Sequence, residues 1–295
     1  MDSVDLRIVS ELDLDSRQSF ARIARTLGLT RRTVQRRVNR MVESGFITSF
    51  EVLFDLSQLG LADAVCNVRV GGGYGSDVVR EGLVKIPGVT EVLTFIGGVL
   101  VAQLAYSDRE ELEDILARIG AVEGVADIDY ETGPKASPSV PLTRSDWKLI
   151  RSLSHNARKE VVEVAHDLSV SPRTVQRRLR FLESKGALRF GLQVDASSAK
   201  DLFPYLLLVQ LRPGTSKVKM YDRLRQLVPR IWRDMKTVNP FLLTLASHAV
   251  KLSDLERDAE LLRMAPGVRG VSVIFNTSDL SDSHWLDERL RRASA

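Results

Sequence analysis

The sequence predicts an α+β fold in which a winged helix-turn-helix and a ferredoxin-like β-α-β-β-α-β module occur together twice. The hexamer RTVQRR occurs at residues 32–37 and again at 173–178, an offset of 141 positions (173 − 32). Apolar positions and a glycine around the hexamer match at the same offset without a gap. After each copy, stretches with strand and helix periodicity follow in the order β-α-β-β-α-β, which is the ferredoxin-like unit.

Each hexamer lies in the third of three helices that the sequence predicts at the start of each copy. Apolar residues recur at helical spacing over residues 4–12 and 20–27, and Gly28 predicts a tight turn with positive φ. Thr30 and, in the second copy, Ser171 are suited to cap the third helix. β-favouring residues follow each third helix, which indicates a short wing and completes a winged helix-turn-helix.

The two copies and the stretch between them predict how the chain divides into domains. The prolines of GPKASPSVP, residues 133–141, oppose both a helix and a strand ladder, so this stretch is a linker. The last residues have the spacing of a short amphipathic helix, which serves either packing or contact between chains. The expected segments are winged helix-turn-helix domains at 1–53 and 144–194, ferredoxin-like modules at 54–132 and 195–279, a linker at 133–143 and a tail at 280–295.

Composition places the chain among soluble folded proteins and gives no sign of a catalytic or metal site. Its residues are 44% hydrophobic and 27% charged, and no apolar run approaches the roughly 18 residues of a membrane span. Because the start is acidic and amphipathic, unlike a basic leader, we expect a cytoplasmic protein without a membrane partner. Cys66 is the single cysteine and the four histidines lack ligand spacing, so no metal, cofactor or catalytic residue is predicted.

One segment carries a high concentration of positive charge. The net charge of the chain is +4, yet residues 16–42 contain eight arginines and no acidic residue. Surface helices normally interleave glutamate with basic residues to form spaced pairs, and no acid lies between Arg31 and Arg40. A solvated arginine-rich surface is the simplest alternative, but the missing acids favour a polyanionic partner such as DNA.

On a helical wheel, the third helix of each copy has one apolar and one polar face. Val34, Val38 and Met41 cluster within about 60° and face the core, as do their counterparts in the second copy. The opposite face carries arginine, which binds guanine bidentately, and glutamine or asparagine, which bind adenine. These candidate base-reading residues are Arg32, Gln35, Arg36 and Asn39 in the first copy and Arg173, Gln176, Arg177 and Arg180 in the second. Flanking residues suited to phosphate contacts are Thr30, Arg31, Thr33, Arg37, Arg40, Ser171, Thr174 and Arg178.

Taken in order, these features resemble the Lrp/AsnC family of transcription regulators over nearly the whole chain. Besides the helix-turn-helix, FDLSQLGL at residues 54–61 is similar to the hinge of the family. IPGVTEVLTFIGG at residues 86–98 is similar to the family's strand that leads into a glycine turn. The resemblance implies a regulator that binds double-stranded DNA, with modules through which members dimerise and often bind amino acids at subunit interfaces.

Two features depart from the family pattern. Members usually carry one copy and dimerise, so we expect the two modules of this chain to pair as an intrachain pseudo-dimer that oligomerises further. At the sensing turn, where the family tends to have a polar and often acidic position, this chain has Gly97, Gly98 and Val99, with Asn239 and Pro240 in the second copy. The candidate effector turn thus comprises Gly97, Gly98 and Asn239, and its lack of a carboxylate argues against an amino acid as the small-molecule effector.

Two other functions are compatible with this architecture. Siroheme decarboxylases have the same helix-turn-helix plus ferredoxin-like architecture, but they need histidines and arginines around a tetrapyrrole, and the modules here contain few histidines. A sensor that acts through protein partners alone is a third function, and the arginine face favours DNA binding over both. We therefore expect a sequence-specific regulator whose two recognition helices enter successive major grooves. Its half-sites should be similar but not identical, because Asn39 corresponds to Arg180.

Overall fold

The two sequence copies fold into two similar halves. The computed structural model describes residues 1–133, 138, 140–154, 156–195, 198, 203–235, 237–281 and 284–294, with the backbone alone for residues 276–281, 284 and 285. Each half begins with three helices, named head 1 and head 2 below. Each continues with a strand and a β-α-β-β-α-β unit, named module 1 and module 2, so the predicted fold class is confirmed.

The first half follows the predicted order of elements. Head 1 consists of α1 (Ser3–Leu14), α2 (Phe20–Leu27) and α3 (Arg31–Glu43), followed by β1 (Ile47–Phe54) and a 3-10 helix (Leu56–Leu59). Module 1 consists of β2 (Ala62–Val70), α4 (Ser76–Val84), β3 (Val89–Phe95), β4 (Val99–Tyr106), α5 (Arg109–Gly120) and β5 (Val125–Thr132). Gly28 has a φ of 67°, which confirms the predicted left-handed turn between α2 and α3.

The second half repeats this order and adds a strand and a helix at its end. Head 2 consists of α6 (Arg144–Leu153), α7 (Val161–Asp167) and α8 (Pro172–Ser184), followed by β6 (Leu188–Val194). Module 2 consists of β7 (Phe203–Leu211), α9 (Lys217–Leu227), β8 (Arg233–Met235), β9 (Leu242–Ala249), α10 (Leu252–Arg263) and β10 (Val268–Ile274). The additional elements are β11 (Asn276–Ser281) and α11 (His284–Ser294).

The strand orders of the two modules agree, and both sheets are antiparallel. Module 1 has the order β3-β4-β2-β5 and module 2 the order β8-β9-β7-β10. One face of each sheet packs on two helices through alternating apolar residues, such as Ala64, Cys66 and Val68 of β2, which are fully buried. A buried cluster that includes Leu93 of β3 and Leu206 of β7 joins the two modules and head 1.

The predicted wings form one sheet between the two copies. β1 and β6 pair with each other as an antiparallel two-stranded sheet, in a register that sets Phe50 opposite Leu192. Residue periodicity predicts a strand at each place but carries no information about its partner, so the sequence did not indicate this pairing. The β1–β6 sheet therefore links the two halves through the strands that follow the third helix of each head.

The end of the chain returns to the first half. β11 pairs with β3 and so becomes the edge strand of the module 1 sheet, although the sequence assigned its residues to the end of the second module and the start of the tail. α11, the amphipathic helix predicted in the tail, packs on α6 of head 2. Among the residues that the structure describes, no helix has the length and apolar character needed to cross a bilayer.

Candidate nucleic-acid interface

α3 and α8 present matching faces to the solvent. The apolar residues Val34 and Val175 are buried, at 0% and 2% exposure. The residues predicted to read bases are all exposed, namely Arg32, Gln35, Arg36, Asn39, Arg173, Gln176, Arg177 and Arg180. The wheel therefore predicted the orientation of both helices correctly.

Four arginines of these faces have no partner among the residues that the structure describes. Within the described part of the chain, Arg32 and Arg36 of α3 form no ion pair or side-chain hydrogen bond, and the same holds for Arg173 and Arg177 of α8. An arginine side chain has five N–H donors and no acceptor. These four side chains thus offer unpaired donors to an external acceptor.

Hydroxyl residues cap both helices in the same way. Thr30 accepts a hydrogen bond from the Thr33 backbone N–H at 3.1 Å, and Ser171 accepts one from the Thr174 N–H at 3.1 Å. In each copy the two hydroxyl groups also lie 2.9 Å apart. The caps fix where α3 and α8 begin, and the capping residues Thr30 and Ser171 are themselves exposed.

A buried carboxylate anchors α3 to α1. Asp5 of α1 has 0% exposure and accepts hydrogen bonds from Arg37 Nη1 at 2.8 Å and from Arg40 Nη2 at 2.7 Å. Asp2 accepts a further hydrogen bond from Arg37 at 2.8 Å. Sequence reasoning missed Asp5, because it considered the arginines of α3 without the acids 32 and 35 residues earlier in the chain.

Head 2 contains the same anchor at the equivalent positions. Asp146 of α6, also at 0% exposure, accepts a bidentate contact from Nε and Nη2 of Arg178. Desolvation alone would raise the pKa of Asp146, but hydrogen bonds from Arg178 and Thr143 outweigh it and hold the pKa below its ordinary value. The repeat offset relates Asp146 to Asp5 and Arg178 to Arg37, a signal in the sequence that could have identified the anchor.

The anchors divide the predicted phosphate-contacting residues into two groups. The side chains of Arg37 and Arg178 are 21% and 34% exposed and are engaged by buried carboxylates. Arg40 is paired with Asp5 but keeps 60% of its side chain exposed, and Arg31 is exposed as well. Together Arg36, Arg37 and Arg40 line a positively charged concavity of about 300 Å³ at the surface of α3.

One arginine of the basic segment lies elsewhere. Arg17, in the loop between α1 and α2, donates to the backbone carbonyls of Ala157 and Lys159 in the second half and stacks on the ring of Phe190. Charge density along the sequence grouped it with Arg22 and Arg25, which are exposed on α2. Its contacts belong to the junction of the two heads, away from the recognition face.

The candidate effector turn occupies corresponding positions in the two modules. Gly97 and Gly98 form the turn between β3 and β4, with φ of 95° and 74°, a conformation that favours glycine. In module 2 the side chain of Asn239 accepts a hydrogen bond from the Phe241 N–H at 2.9 Å, and its carbonyl accepts one from Lys217 at 3.1 Å. Within the described ranges, no three His, Cys, Asp or Glu side chains are grouped so that they could hold a metal ion.

Comparison with known sequences matches both heads to one family of domains. Residues 1–42 and 142–183 each match the family model of the AsnC-type helix-turn-helix domain. The HTH-type transcriptional regulator FL11 of Pyrococcus furiosus is 31% identical over 127 residues, which are 42% of this chain and 83% of that protein. An HTH-type transcriptional regulator of Mycobacterium tuberculosis is 35% identical over 122 residues, or 40% of this chain and 82% of that protein. Each relative therefore corresponds to less than half of this chain.

A comparison with solved structures covers both halves together. The crystal structure of the siroheme decarboxylase NirDL aligns with 99% of this chain and 98% of its own, with a TM-score of 0.55 and 16% sequence identity. At that identity the similarity indicates a shared fold. This chain thus shares its fold with that protein over nearly the full length of both.

Proposed function

Because the chain belongs to the Lrp/AsnC family of transcription regulators, we propose that it binds DNA sequence-specifically as an intrachain pseudo-dimer and regulates transcription. The observation that carries this proposal is the pair of equivalent faces on α3 and α8, each exposing arginine, glutamine and arginine at the same spacing. An α-helix fits the major groove, and two heads on one chain suit two half-sites about one helical turn apart or a multiple of it.

The side chains of the two faces suggest what each head reads. Arg36 and Arg177 are suited to bind O6 and N7 of a guanine, and Gln35 and Gln176 to bind an adenine. The faces differ at Asn39, whose counterpart is Arg180. Asparagine prefers adenine and arginine prefers guanine, so the two half-sites should share most positions and differ at the base pair that these residues contact.

Phosphate contacts would come from the residues around each recognition face. Arg31 and Arg40 are exposed, and the capping residues Thr30 and Ser171 lie where helix N-termini bind anions. We assign Arg37 and Arg178 to the anchoring of the recognition helices instead, because their guanidinium groups bind Asp5 and Asp146. Head 2 carries acids such as Glu163 and Asp167 on α7, so head 1 should supply more of the non-specific affinity.

A selection of duplexes from a random pool with the purified chain, followed by titration of the selected site, tests this function. Arg36→Ala and Arg177→Ala should each weaken binding by about 1 to 3 kcal/mol if the residue pairs with guanine. Arg292→Ala, an exposed arginine on α11, is the control and should leave the affinity unchanged. Selection of no site, or equal affinity for the parent and both recognition-helix variants, would reject the proposal.

The paired modules are the proposed site of effector binding and of further assembly. Gly97, Gly98 and Asn239 stay the candidate turn residues, and no acidic side chain in either turn suits the ammonium group of an amino acid. A small molecule without that group is therefore the proposed effector. Among the edge strands of the module sheets, β5 and β10 are paired on one side only within the described residues, and they give pseudo-dimers a means of further association.

The alternative function is a tetrapyrrole enzyme, supported by the architecture shared with NirDL. His248 is the single histidine of the two modules, and it is 6% exposed. Burial lowers the pKa of His248 to about 4, so it would stay neutral and enclosed in the core. Titration with an iron tetrapyrrole should leave the visible spectrum of the ligand unchanged, whereas a shifted band would favour the enzyme.

A further inference from the structure

Two arginines form a reciprocal contact between the heads. Arg17 Nη1 donates to the carbonyl oxygen of Ala157 and, at 3.0 Å, to that of Lys159. Arg158 Nη1 donates to the carbonyl oxygen of Ser16 and, at 3.3 Å, to that of Gln18. All three pairs of positions, 17 and 158, 16 and 157, 18 and 159, differ by the repeat offset of 141 (158 − 17). Each arginine therefore binds the two carbonyls that flank the other.

Aromatic rings and backbone bonds hold this contact against the β1–β6 sheet. The guanidinium carbon of Arg17 lies 5.3 Å from the ring centre of Phe190, and that of Arg158 lies 4.4 Å from Phe20 and 5.5 Å from Phe50. The Ser16 N–H donates to the Phe190 carbonyl at 3.1 Å, and the Ala157 N–H donates to the Phe50 carbonyl at 2.8 Å. Each head loop thus packs on the strand from the other half.

Burying two positive charges next to each other opposes the stability of the fold. Burial lowers the pKa of Arg17 and of Arg158, and for Arg158 the charge of Arg17 lowers it further. Both groups nevertheless stay protonated, because an arginine in a protein does not lose its proton. Apolar residues of similar volume often stabilise such a site as well or better than buried charges do. What two planar guanidinium groups add is directional hydrogen bonding, which fixes the relative orientation of the groups they join.

The heads need such a constraint if they are to bind DNA as one unit. The β1–β6 sheet, on which α1 and α6 pack, joins the heads on one side, and the twist of a two-stranded sheet varies widely. The loops that carry Arg17 and Arg158 lead into α2 and α7, on which α3 and α8 pack. The reciprocal contact gives the heads a second point of attachment, between the loops that precede α2 and α7.

We infer that Arg17 and Arg158 are positioning residues that fix the separation and angle of α3 and α8, and thereby the half-site spacing that one chain accepts. Neither residue reads a base. The inference rests on the proposed function for its consequence at DNA, but the geometry that it assigns to the heads is measurable without DNA.

The distance between the heads tests the geometry directly. Arg25→Cys and His166→Cys place spin labels at equivalent exposed positions of α2 and α7, and Cys66 is buried and will not react. The parent should give one narrow distance distribution. Combining Arg17→Gln with Arg158→Gln should broaden it, whereas Arg22→Gln, an exposed arginine on α2, should not. Should the double variant fail to fold, Arg17→Lys combined with Arg158→Lys is the substitute. It keeps both positive charges but removes the planar guanidinium groups, and it should broaden the distribution less than the glutamine variant would.

Affinity for duplexes with different spacings tests the consequence. The parent should prefer one spacing between the selected half-sites. In the double variant, the ratio of the affinity for that spacing to the affinity for other spacings should fall about tenfold, an effect as large as the loss of one base contact. Arg22→Gln should keep the preference. A narrow distance distribution and an unchanged spacing preference in the folded variants would overturn the inference. A broadened distribution in a chain that binds no DNA would leave the positioning role intact and reject the proposed function instead.

Discussion

Head 1 packs directly on module 2, whereas head 2 packs on the C-terminal helix α11. Asp13 of α1 pairs with Arg233 of β8 at 2.7 Å, and Ser10 accepts a hydrogen bond from Arg225 of α9. At the positions of head 2 that correspond to Ser10 and Asp13 stand Arg151 and Ser154, and Arg151 donates to the Ser294 hydroxyl of α11 at 3.2 Å. Two heads with the same internal anchor are therefore supported by different parts of the chain.

The difference follows from what comes after each module. β11 and α11 follow module 2, where β11 joins the sheet of module 1 and Arg289 of α11 pairs with Glu111 of α5 at 2.7 Å. At the offset of 143 that relates α5 to α10 (252 − 109), the stretch after module 1 that corresponds to β11 is GPKASP, residues 133–138, whose prolines lack the N–H that a strand ladder needs. The stretch after module 1 therefore leads into head 2, whereas the stretch after module 2 forms an edge strand and a helix. The exposed faces of α3 and α8 are therefore alike, although head 1 packs on module 2 and head 2 packs on α11.

Removing the apolar contact of α11 should produce the largest difference in stability between the two heads. Leu290 is 1% exposed in the core of head 2, so Leu290→Ala should destabilise that core by about 3 kcal/mol through lost burial and the cavity left behind. Hydrogen exchange should accelerate in α6, α7 and α8 and stay unchanged in α1, α2 and α3. Arg291→Ala, on the exposed side of α11, is the control. Equal acceleration in both heads would contradict the assignment of α11 to head 2.

Removing the ion pair of head 1 should have the opposite regional effect. The side chains of Asp13 and Arg233 are 11% and 15% exposed, and Asp13→Asn leaves a largely buried guanidinium without its counter-charge. We expect a loss of about 2 kcal/mol, somewhat less than for a fully buried pair, with faster hydrogen exchange in α1. Ser154→Ala, at the equivalent position of head 2, should change stability by less than about 0.5 kcal/mol. Comparable losses from both variants would mean that the two supports are equivalent.

Substitutions in the turn before α3 and α8 should have the smallest effect on stability. Ser169 has a φ of 53°, the one non-glycine residue with positive φ in the described ranges, and it corresponds to Gly28 of head 1. Ser169→Gly should stabilise head 2 by about 0.5 to 1 kcal/mol because it relieves the left-handed conformation, partly offset by the larger entropy of the unfolded chain. Gly28→Ser should destabilise head 1 by a similar amount. Thermal unfolding that shifts in the same direction for both variants would contradict this.

Local periodicity predicted the elements that depend on neighbours in sequence. The inward positions of Val34 and Val175, the turn at Gly28 and the β-α-β-β-α-β order of both modules all follow from residue spacing, and all were predicted. The repeat offset of 141 positions also identified the two heads as equivalent units.

Contacts between distant residues were beyond the reach of the same reasoning. Arg17 and Arg37 look like any other arginine of the basic segment, and their partners lie 142 and 32 residues away. The sequence likewise does not predict that β1 pairs with β6 and β11 with β3, because several strands of similar composition could be the partner. Charge density predicted a basic surface but could not assign individual arginines to DNA, to an anchor or to the junction of the heads.

A footprint resolved by half-site tests the central claim, that one chain carries two reading heads with distinct half-sites. Hydroxyl-radical cleavage of the selected duplex should show two protected regions on one DNA face for the parent, about one helical turn apart or a multiple of it. At concentrations that keep the variants bound, Arg36→Ala should weaken protection at one half-site and Arg177→Ala at the other. Loss of the same protected region in both variants, or a single region for the parent, would contradict the claim.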